Sequence, residues 1–383
     1  PKVVEYWSID DVARAALSER RPITMADAAD ELDRLILASV AERMSADVPV
    51  GVFLSGGIDS SLVTAAMQKC AARPVTTLTL GFEDPRFNEA NHARAVAEHL
   101  VCEMARKHVT VALSGDGGDE GFAGYRRHFA TPRLWQRMRS LPLRSVARAA
   151  IGLAPVSALN VGFGFLRTFA ERYGDGSDVG PALKRVAPWL GATSLINLHE
   201  LTLEKWPGDE HLAPGVGRLT GRHDGFQPED EVDQLCLHDM RNYLPGDILT
   251  KVDRASMAVS LETRIPLLDP EVVAFGMRLP PELRLRGTTG KLILREVLKR
   301  YVPEEMFDRP KSGFAPPLEA WLLGPLRAWA EDLLSPERLS RHGMLDQRRV
   351  SAFWRRYSAG GTGEDARAWA VLQFQSWMVA RGL

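Results

Sequence analysis

The sequence has little of what marks disulfide-rich, zinc-binding or membrane-spanning proteins. Its 383 residues include three cysteines, Cys70, Cys102 and Cys236, which lie far apart and form no CxxC pair. They predict neither a disulfide framework nor a zinc site, and they are typical of a reducing cytoplasm. No apolar run approaches the roughly 18 residues that a membrane-spanning helix needs.

Charge of one sign is also lacking, because the formal net charge is −1. No overall field therefore favours nucleic acid or a membrane as a partner. Residues 126–150 carry seven arginines, but aromatic residues between them are few. This pattern favours a solvated helical face over a nucleic-acid surface.

The sequence contains no GxxxxGK[ST] loop, but a different glycine loop lies within residues 48–66, VPVGVFLSGGIDSSLVTAA. Its β-branched run predicts a strand buried on both faces of a parallel sheet, and a helical pattern follows. Gly56 and Gly57 allow a sharp turn, and the helix start offers unpaired N–H groups to an anion. Asp59 would repel a phosphate unless Mg²⁺ lies between them, so it is predicted as a metal ligand. A plain strand-to-helix turn is the alternative.

A second glycine loop, residues 114–125, reads SGDGGDEGFAGY and follows a predicted strand at 109–113. Its acids, Asp116, Asp119 and Glu120, are too many for a phosphate cradle alone, so Mg²⁺ is implied again. A polar hairpin or a weak Ca²⁺ site is the alternative, although the spacing does not match an EF-hand.

The flanking segments predict further elements. Residues 75–82 predict a strand, which completes a β-α-β unit whose ligand lies at the carboxyl ends of the strands. Thr24, with Asp27 three residues on, predicts the start of a helix that runs to Met44. Residues 1–21 predict a linker with one short strand or turn.

More helices are predicted at 88–100, at 101–107 and at 235–257, the last with a break at Pro245. The helix at 365–379 has a predicted apolar face, interpreted as core or partner contacts, that consists of Ala366, Trp369, Ala370, Phe374 and Trp377.

In this order the motifs resemble the synthetase domain of glutamine-dependent asparagine synthetases. SGGIDSS is similar to the pyrophosphatase loop of enzymes that form adenylates from ATP. The resemblance continues through residues 243–257, 261–269, 290–291 and 309–314. It implies an α/β fold with a parallel sheet of the adenine-nucleotide alpha-hydrolase type and a largely helical C-terminal half.

The resemblance also implies roles for individual residues. Asp59 and Asp119 would share the Mg²⁺, while Lys311 would stabilise the charge that develops as pyrophosphate leaves, acting with Asp116 and Asp119 as catalytic residues. ATP would contact Leu54, Ser55, Gly56, Gly57, Asp59, Ser60, Ser61, Leu80, Ser114 and Gly115. Candidate substrate contacts are Asp253, Arg254, Glu262 and Arg264, and either arginine could hold a carboxylate bidentately. A surface helix with ion pairs is the alternative for 251–254.

The implied function is that of an ATP-dependent amide-forming ligase. A carboxylate, with aspartate as the default, would be adenylated with release of pyrophosphate, and ammonia derived from glutamine would then give asparagine. Alternatives are the same chemistry on a sugar uronic acid, a peptide or a β-lactam-type ring closure, a tRNA-modifying enzyme, or a non-catalytic nucleotide-binding module. Small molecules are the expected partners, and a homodimer is left open.

Two segments of the family are expected but not present in the sequence. Residues 1–22 are interpreted as the remnant of an interdomain linker and 23–383 as the synthetase domain, which implies an N-terminal glutaminase domain in a longer protein. A further segment that includes a strand is expected between residues 100 and 101, because deleting a strand would expose the edges of its neighbours.

Overall fold

The computed structural model describes residues 4–79, 102, 104–163, 179–204, 206, 212–213, 215, 225–308, 318–360 and 364–382. The chain divides into two compact units. The sheet unit comprises residues 1–85, 95–133 and 221–312, and the helical unit comprises residues 86–94, 134–220 and 313–383.

The sheet unit is built on a parallel sheet, as predicted. Its strands in the described part of the chain are β1 (Val50–Phe53), β2 (Thr76–Leu78), β3 (Val111–Leu113) and β4 (Glu262–Arg264). They lie in the order β2-β1-β3-β4, and every neighbouring pair is parallel. The chain leaves β1 for β2 on one side and later returns to β3 on the other. The junction of β1 and β3 is therefore the switch point of the sheet, where open α/β sheets bind ligands.

Helices make up most of the remaining described structure. In chain order they are α1 (Ile9–Ser18), α2 (Met25–Met44), α3 (Ile58–Cys70), α4 (Gly118–Gly121), α5 (Arg127–Arg139), α6 (Arg144–Leu153), α7 (Val156–Gly162), α8 (Val179–Val186), α9 (Leu195–Leu203), α10 (Glu231–His238), α11 (Thr250–Met257), α12 (Pro270–Arg278), α13 (Pro281–Arg284), α14 (Leu292–Leu298), α15 (Leu318–Leu323), α16 (Arg327–Leu333), α17 (Pro336–His342), α18 (Gln347–Ser358) and α19 (Asp365–Ala380). Short 3₁₀ turns span Ala187–Gly191, Pro266–Leu268 and Glu304–Met306. The described part of the chain contains no helix long and apolar enough to cross a membrane.

Apolar side chains pack on both faces of the central strands β1 and β3. Helix α2 begins as predicted, because Thr24 Oγ1 accepts a hydrogen bond from the Asp27 N–H at 3.1 Å. The largest core joins α2, α3, α12 and α14 to the sheet through Leu32, Ile36, Val40, Val52, Leu62, Val63, Leu113, Phe275, Ile293 and Val297. A smaller cluster contains Phe53, Leu78, Cys102, Ala105, Val109, Ala112, Ala255 and Leu261. Burial on two sides is what the β-branched strands require.

The prediction of a strand or turn in residues 1–21 is wrong, since α1 lies there. Ser8 caps the helix by accepting a hydrogen bond from the Asp10 N–H at 3.2 Å. Asp10 and Asp11 lie in the first turn, where negative charge complements the helix dipole. Ala13 and Ala16 are buried and place α1 within the sheet unit. The assignment of 1–22 as a linker stays a prediction.

The predicted break at Pro245 is also wrong. Helix α10 continues through a π-helical stretch, Asp239–Leu249, directly into α11. Proline has no N–H and clashes with the preceding turn of an α-helix. A π-turn is the wider alternative found at such positions, so the helix passes the ring without ending.

Helix α19 forms as predicted, but its buried face is not the predicted one. Ala370 and Trp377 are exposed, whereas Ala368, Val371 and Leu372 are buried in a cluster of the helical unit. Apolar residues occur on several sides of this helix, so periodicity alone does not choose the face that packs. A partner contact at Trp377 stays a prediction.

Candidate active site at the carboxyl ends of β1 and β3

The loop after β1 is organised by its serines. Ser55 Oγ and Ser60 Oγ lie 2.8 Å apart, and Ser60 Oγ accepts a hydrogen bond from the Ser55 N–H at 3.2 Å. Gly57 is the N-cap of α3 and brings no capping side chain. The predicted turn and helix start are present, and the first N–H groups of such a helix are suited to an anion. Anion binding here stays a prediction.

The loop after β3 packs directly on the loop after β1. A Cβ atom on Gly115 would lie 2.7 Å from Ser60 N and 2.8 Å from the carbonyl carbon of Asp59. Both of these are backbone atoms, so only glycine permits this approach. The two motifs identified in the sequence therefore form one site across the switch point.

The site centres on a lysine between two carboxylates. Lys291 Nζ lies 2.8 Å from Asp119 Oδ1 and also pairs with Asp59 Oδ2. Its side chain is 6% exposed, against 15% for Asp59 and 16% for Asp119. Burial favours the neutral amine, but the two carboxylates outweigh it and raise the pKa of Lys291 above its usual value. The lysine is therefore a charged ammonium.

Two carboxylates that converge on one cation fit the donor set that Mg²⁺ prefers. Mg²⁺ is commonly bound by one or two carboxylates together with water and substrate phosphates. Within the described ranges no group of three or more His, Cys, Asp and Glu side chains could hold a metal. Metal binding by Asp59 and Asp119 stays a prediction.

Asp116 is held at the start of the second loop. Ser114 Oγ donates to Asp116 Oδ2 at 2.6 Å, and the Ser114 N–H donates to the carbonyl oxygen of Arg264 at 2.9 Å. The loop after β3 is thus anchored to β4. A catalytic role for Asp116 stays a prediction.

A buried acid that the sequence analysis counted in the second loop, without a role of its own, lies beside Asp119. Glu120 is 2% exposed, and its carboxylate accepts a hydrogen bond from Tyr125 Oη at 2.7 Å. Burial raises the pKa of Glu120 to about 7; the charge of Asp119 adds to this, and the bond from Tyr125 opposes it. The Arg127 guanidinium lies 3.7 Å from the centre of the Tyr125 ring and 4.4 Å from that of Tyr243.

The four candidate substrate contacts occupy two different settings. The side chains of Asp253 and Arg254 are 64% and 84% exposed. Arg264 pairs with Glu262 at 2.6 Å and donates to the carbonyl oxygens of Arg43 and Ser45, each at 2.8 Å. Arg264 therefore secures the C-terminal end of α2. Substrate contact by any of the four stays a prediction.

Leu80 and Lys311 lie outside the described residues, as does the predicted helix at 88–100. Leu54 is described, and its backbone continues the pairing of β1 with β2 because its N–H donates to the Leu78 carbonyl oxygen at 2.9 Å.

Lys291 was missed as a site residue. It appears in the sequence only as a lysine after Gly290 and before an apolar helix, a pattern shared with many surface lysines. In the structure its backbone adopts the left-handed conformation with φ 56°, and its side chain contacts both acids. Only the family resemblance at 290–291 pointed to this position.

The asparagine synthase family model matches residues 31–101 and 99–379, which is most of the chain. The chain belongs to the asparagine synthase family. This confirms the resemblance and assigns the sheet to the pyrophosphatase-loop type. The two asparagine synthase matches meet at 99–101, next to the place where a missing segment is expected, and that segment stays a prediction.

Relatives at moderate identity agree with the asparagine synthase family. A putative asparagine synthetase [glutamine-hydrolyzing] of Mycobacterium tuberculosis is 30% identical over 406 residues, covering 91% of this chain and 57% of the relative. Asparagine synthetase [glutamine-hydrolyzing] 1 of Bacillus subtilis is 27% identical, covering 91% and 58%. Amidase chyE of Penicillium rubens is 26% identical, covering 89% and 60%. The chain thus spans less than two thirds of the length of these relatives.

Proposed function

We propose that this chain is the ATP-dependent part of an amide-forming ligase. It would adenylate a carboxylate, release pyrophosphate and transfer ammonia derived from glutamine to the activated carbon. The observation that carries this proposal is the convergence of Asp59 and Asp119 at the switch point between β1 and β3. That position combines an anion site at the start of α3 with acids suited to Mg²⁺.

Each loop would have its own task in the first step. Ser55, Ser60 and the first N–H groups of α3 would hold the phosphates, while Asp59 and Asp119 would hold Mg²⁺. When bound, the ion would offset phosphate charge as pyrophosphate leaves. A carboxylate oxygen would attack the α-phosphorus, and the bond from this phosphorus to the bridging oxygen would break. Lys311 is the residue proposed to neutralise the leaving pyrophosphate.

The second step would form the amide. Ammonia would attack the acyl carbon of the adenylate, lose a proton and expel AMP. Adenylation is needed because a free carboxylate is a poor electrophile. These steps require a site that binds ATP and an acid together, which the two adjoining loops can form at the carboxyl ends of their strands.

Aspartate is the proposed acceptor, and its β-carboxylate would become the amide of asparagine. The names of the Mycobacterium and Bacillus relatives support this choice. The similarity to an amidase named chyE supports keeping other carboxylates in the test.

The experiment is pyrophosphate release by the full-length protein from Mg-ATP and ammonium, with aspartate compared against uronic acids and other carboxylates. Aspartate-dependent release with formation of asparagine is expected. Asp59→Asn and Asp119→Asn should each reduce release by about a hundredfold or more. Asp332→Asn, which alters an exposed pair with Arg338, is the matched control and should leave release unchanged. Absence of release with every carboxylate, despite ATP binding, would contradict the proposal.

A further inference from the structure

Lys291 contacts the two acids because the surrounding backbone leaves room for its side chain. It lies at the start of α14, and its N–H donates to the Phe122 carbonyl oxygen at 3.1 Å. A Cβ atom on Gly124 would lie 2.1 Å from Lys291 Cε and equally close to Asp119 Oδ1. The residue at 124 must therefore be glycine for the lysine to lie against Asp119.

The ammonium contacts both of the carboxylates that are proposed to hold the metal ion. It contacts Oδ2 of Asp59 and Oδ1 of Asp119, and these carboxylates are the two proposed Mg²⁺ ligands. Two carboxylates this close repel each other unless a cation lies between them. Lys291 supplies that cation from within the chain, so a metal ion that ligates these two oxygen atoms would have to displace the ammonium.

Displacing the Lys291 ammonium from the two carboxylates costs free energy, and a bound nucleotide can offset this cost. A buried ammonium that loses its carboxylates needs another anion, because a buried unpaired charge is strongly unfavourable. Free Mg²⁺ brings no anion and loses its own water reluctantly. ATP phosphates bring both the metal and a new acceptor for the ammonium. Binding of the metal and of the nucleotide should therefore be coupled through this side chain.

We infer that Lys291 is a positioning residue that holds Asp59 and Asp119 together before nucleotide binds and excludes free divalent cations from them. The inference rests on the proposed function only in taking these carboxylates as the metal ligands. Its consequence is that the metal enters together with the nucleotide rather than before it. The established family membership does not by itself assign such a role.

The test is a titration of the nucleotide-free, full-length protein with Mn²⁺, followed by the electron paramagnetic resonance signal of the free ion. Lys291→Met should bind Mn²⁺ about tenfold tighter than wild type, or more, because the competing charge is gone. Lys291→Arg should restore exclusion. Asp119→Asn added to Lys291→Met should abolish the new site, which locates the ion.

Lys299→Met is the matched control, because Lys299 also pairs with two acids but lies eight residues further along, at the other end of α14. It should bind Mn²⁺ as wild type does. Equal Mn²⁺ affinity of wild type and a folded Lys291→Met variant would overturn the inference. If Lys291 were only structural, Lys291→Met would lower the stability of the protein without creating a cation site. The Mn²⁺ affinity of the variant therefore distinguishes the two roles.

Wild type provides a second measurement that does not depend on the folding of the variant. It should show no one-to-one Mn²⁺ site of micromolar affinity without nucleotide. Such a site in wild type, lost in Asp59→Asn and in Asp119→Asn, would overturn the inference. These titrations contain no ATP, so failure of the proposed ligase reaction would appear in the pyrophosphate assay and not here.

Discussion

Lys291 and Asp119 form an ion pair of 2.8 Å at the junction of β1 and β3, and the same ammonium also pairs with Asp59. One side chain from the start of α14 thus joins the loops that follow two neighbouring strands. The glycine motifs bring the loops into contact, and the lysine balances their charge. The ion pairs should therefore contribute to the free energy of unfolding of the sheet unit, which can be measured apart from catalysis.

Replacing Lys291 by methionine should destabilise the sheet unit. The change leaves two largely buried carboxylates without their shared cation, and loss of one partner of a buried pair typically costs about 3–5 kcal/mol. The free energy of unfolding would be measured by urea denaturation in metal-free buffer. Lys299→Met removes a more exposed lysine and should cost about 1 kcal/mol or less. If Lys291→Met lowered the free energy of unfolding as little as Lys299→Met does, Lys291 would not be the shared cation that stabilises the two carboxylates.

Replacing Gly115 by alanine should impair both stability and turnover. The new Cβ would meet backbone atoms of Asp59 and Ser60, which cannot move without shifting the start of α3. Pyrophosphate release should fall by about tenfold or more, because small displacements of a catalytic group are costly. Gly152→Ala is the control, since nothing lies within 4 Å of that Cβ. It should be neutral or stabilise α6 by about 0.5–1 kcal/mol. Wild-type turnover of Gly115→Ala would rule out the close packing.

Glu120 should make the stability of the nucleotide-free protein depend on pH. Its pKa is raised from 4.5 to about 7, so between these values the folded protein keeps a proton that the unfolded chain has released. Raising the pH through this window therefore lowers the free energy of unfolding, by about 3 kcal/mol in total.

Glu120→Gln tests this pH dependence, because the amide still accepts the hydrogen bond of Tyr125 and carries no charge. The free energy of unfolding of Glu120→Gln should increase relative to that of wild type as the pH rises from 5 to 8. Urea denaturation of both proteins at several pH values, without Mg²⁺, provides the comparison. Parallel profiles for the two proteins would show that Glu120 does not titrate in this range.

Thiol labelling should distinguish the cysteines. Cys70 is exposed, whereas Cys102 and Cys236 are buried, and burial raises the pKa of Cys236 to about 12. A buried thiol with a raised pKa reacts slowly. One thiol per chain should therefore react rapidly in the native protein and three after unfolding, as counted by mass spectrometry. Cys70→Ser should abolish the rapid phase. Rapid labelling of Cys236 would contradict its burial.

The sequence predicted the parts of the site that depend on local chemistry. Residues 50–61 combine a strand pattern, two adjacent glycines and a helix start. This combination is typical of a strand-turn-helix loop, so the loop after β1 could be predicted from its residues. The Thr24 cap of α2 was predicted for the same reason, since a cap depends on residues three apart. The proximity of the second loop was implied by the family resemblance, in which Asp59 and Asp119 share one Mg²⁺.

The features that sequence reasoning missed depend on distant contacts. Nothing near Lys291 indicates that its partners are Asp59 and Asp119, because the loops meet only in the folded sheet. The π-helical stretch around Pro245 was missed because a proline usually ends or kinks a helix. The buried face of α19 is chosen by its neighbours in the helical unit, which the periodicity of α19 does not contain.

The ion pair of Asp59 with Lys291 also constrains how the site forms. These residues are separated by 232 positions, so their contact closes a very long loop of chain. Contacts of such separation raise the contact order of a fold and carry a cost in loop entropy. The two glycine motifs contain their own strand and helix patterns, but the carboxylates gain their shared partner only when α14 packs on the sheet. The charge balance of this site is therefore a property of the complete sheet unit and not of either motif alone.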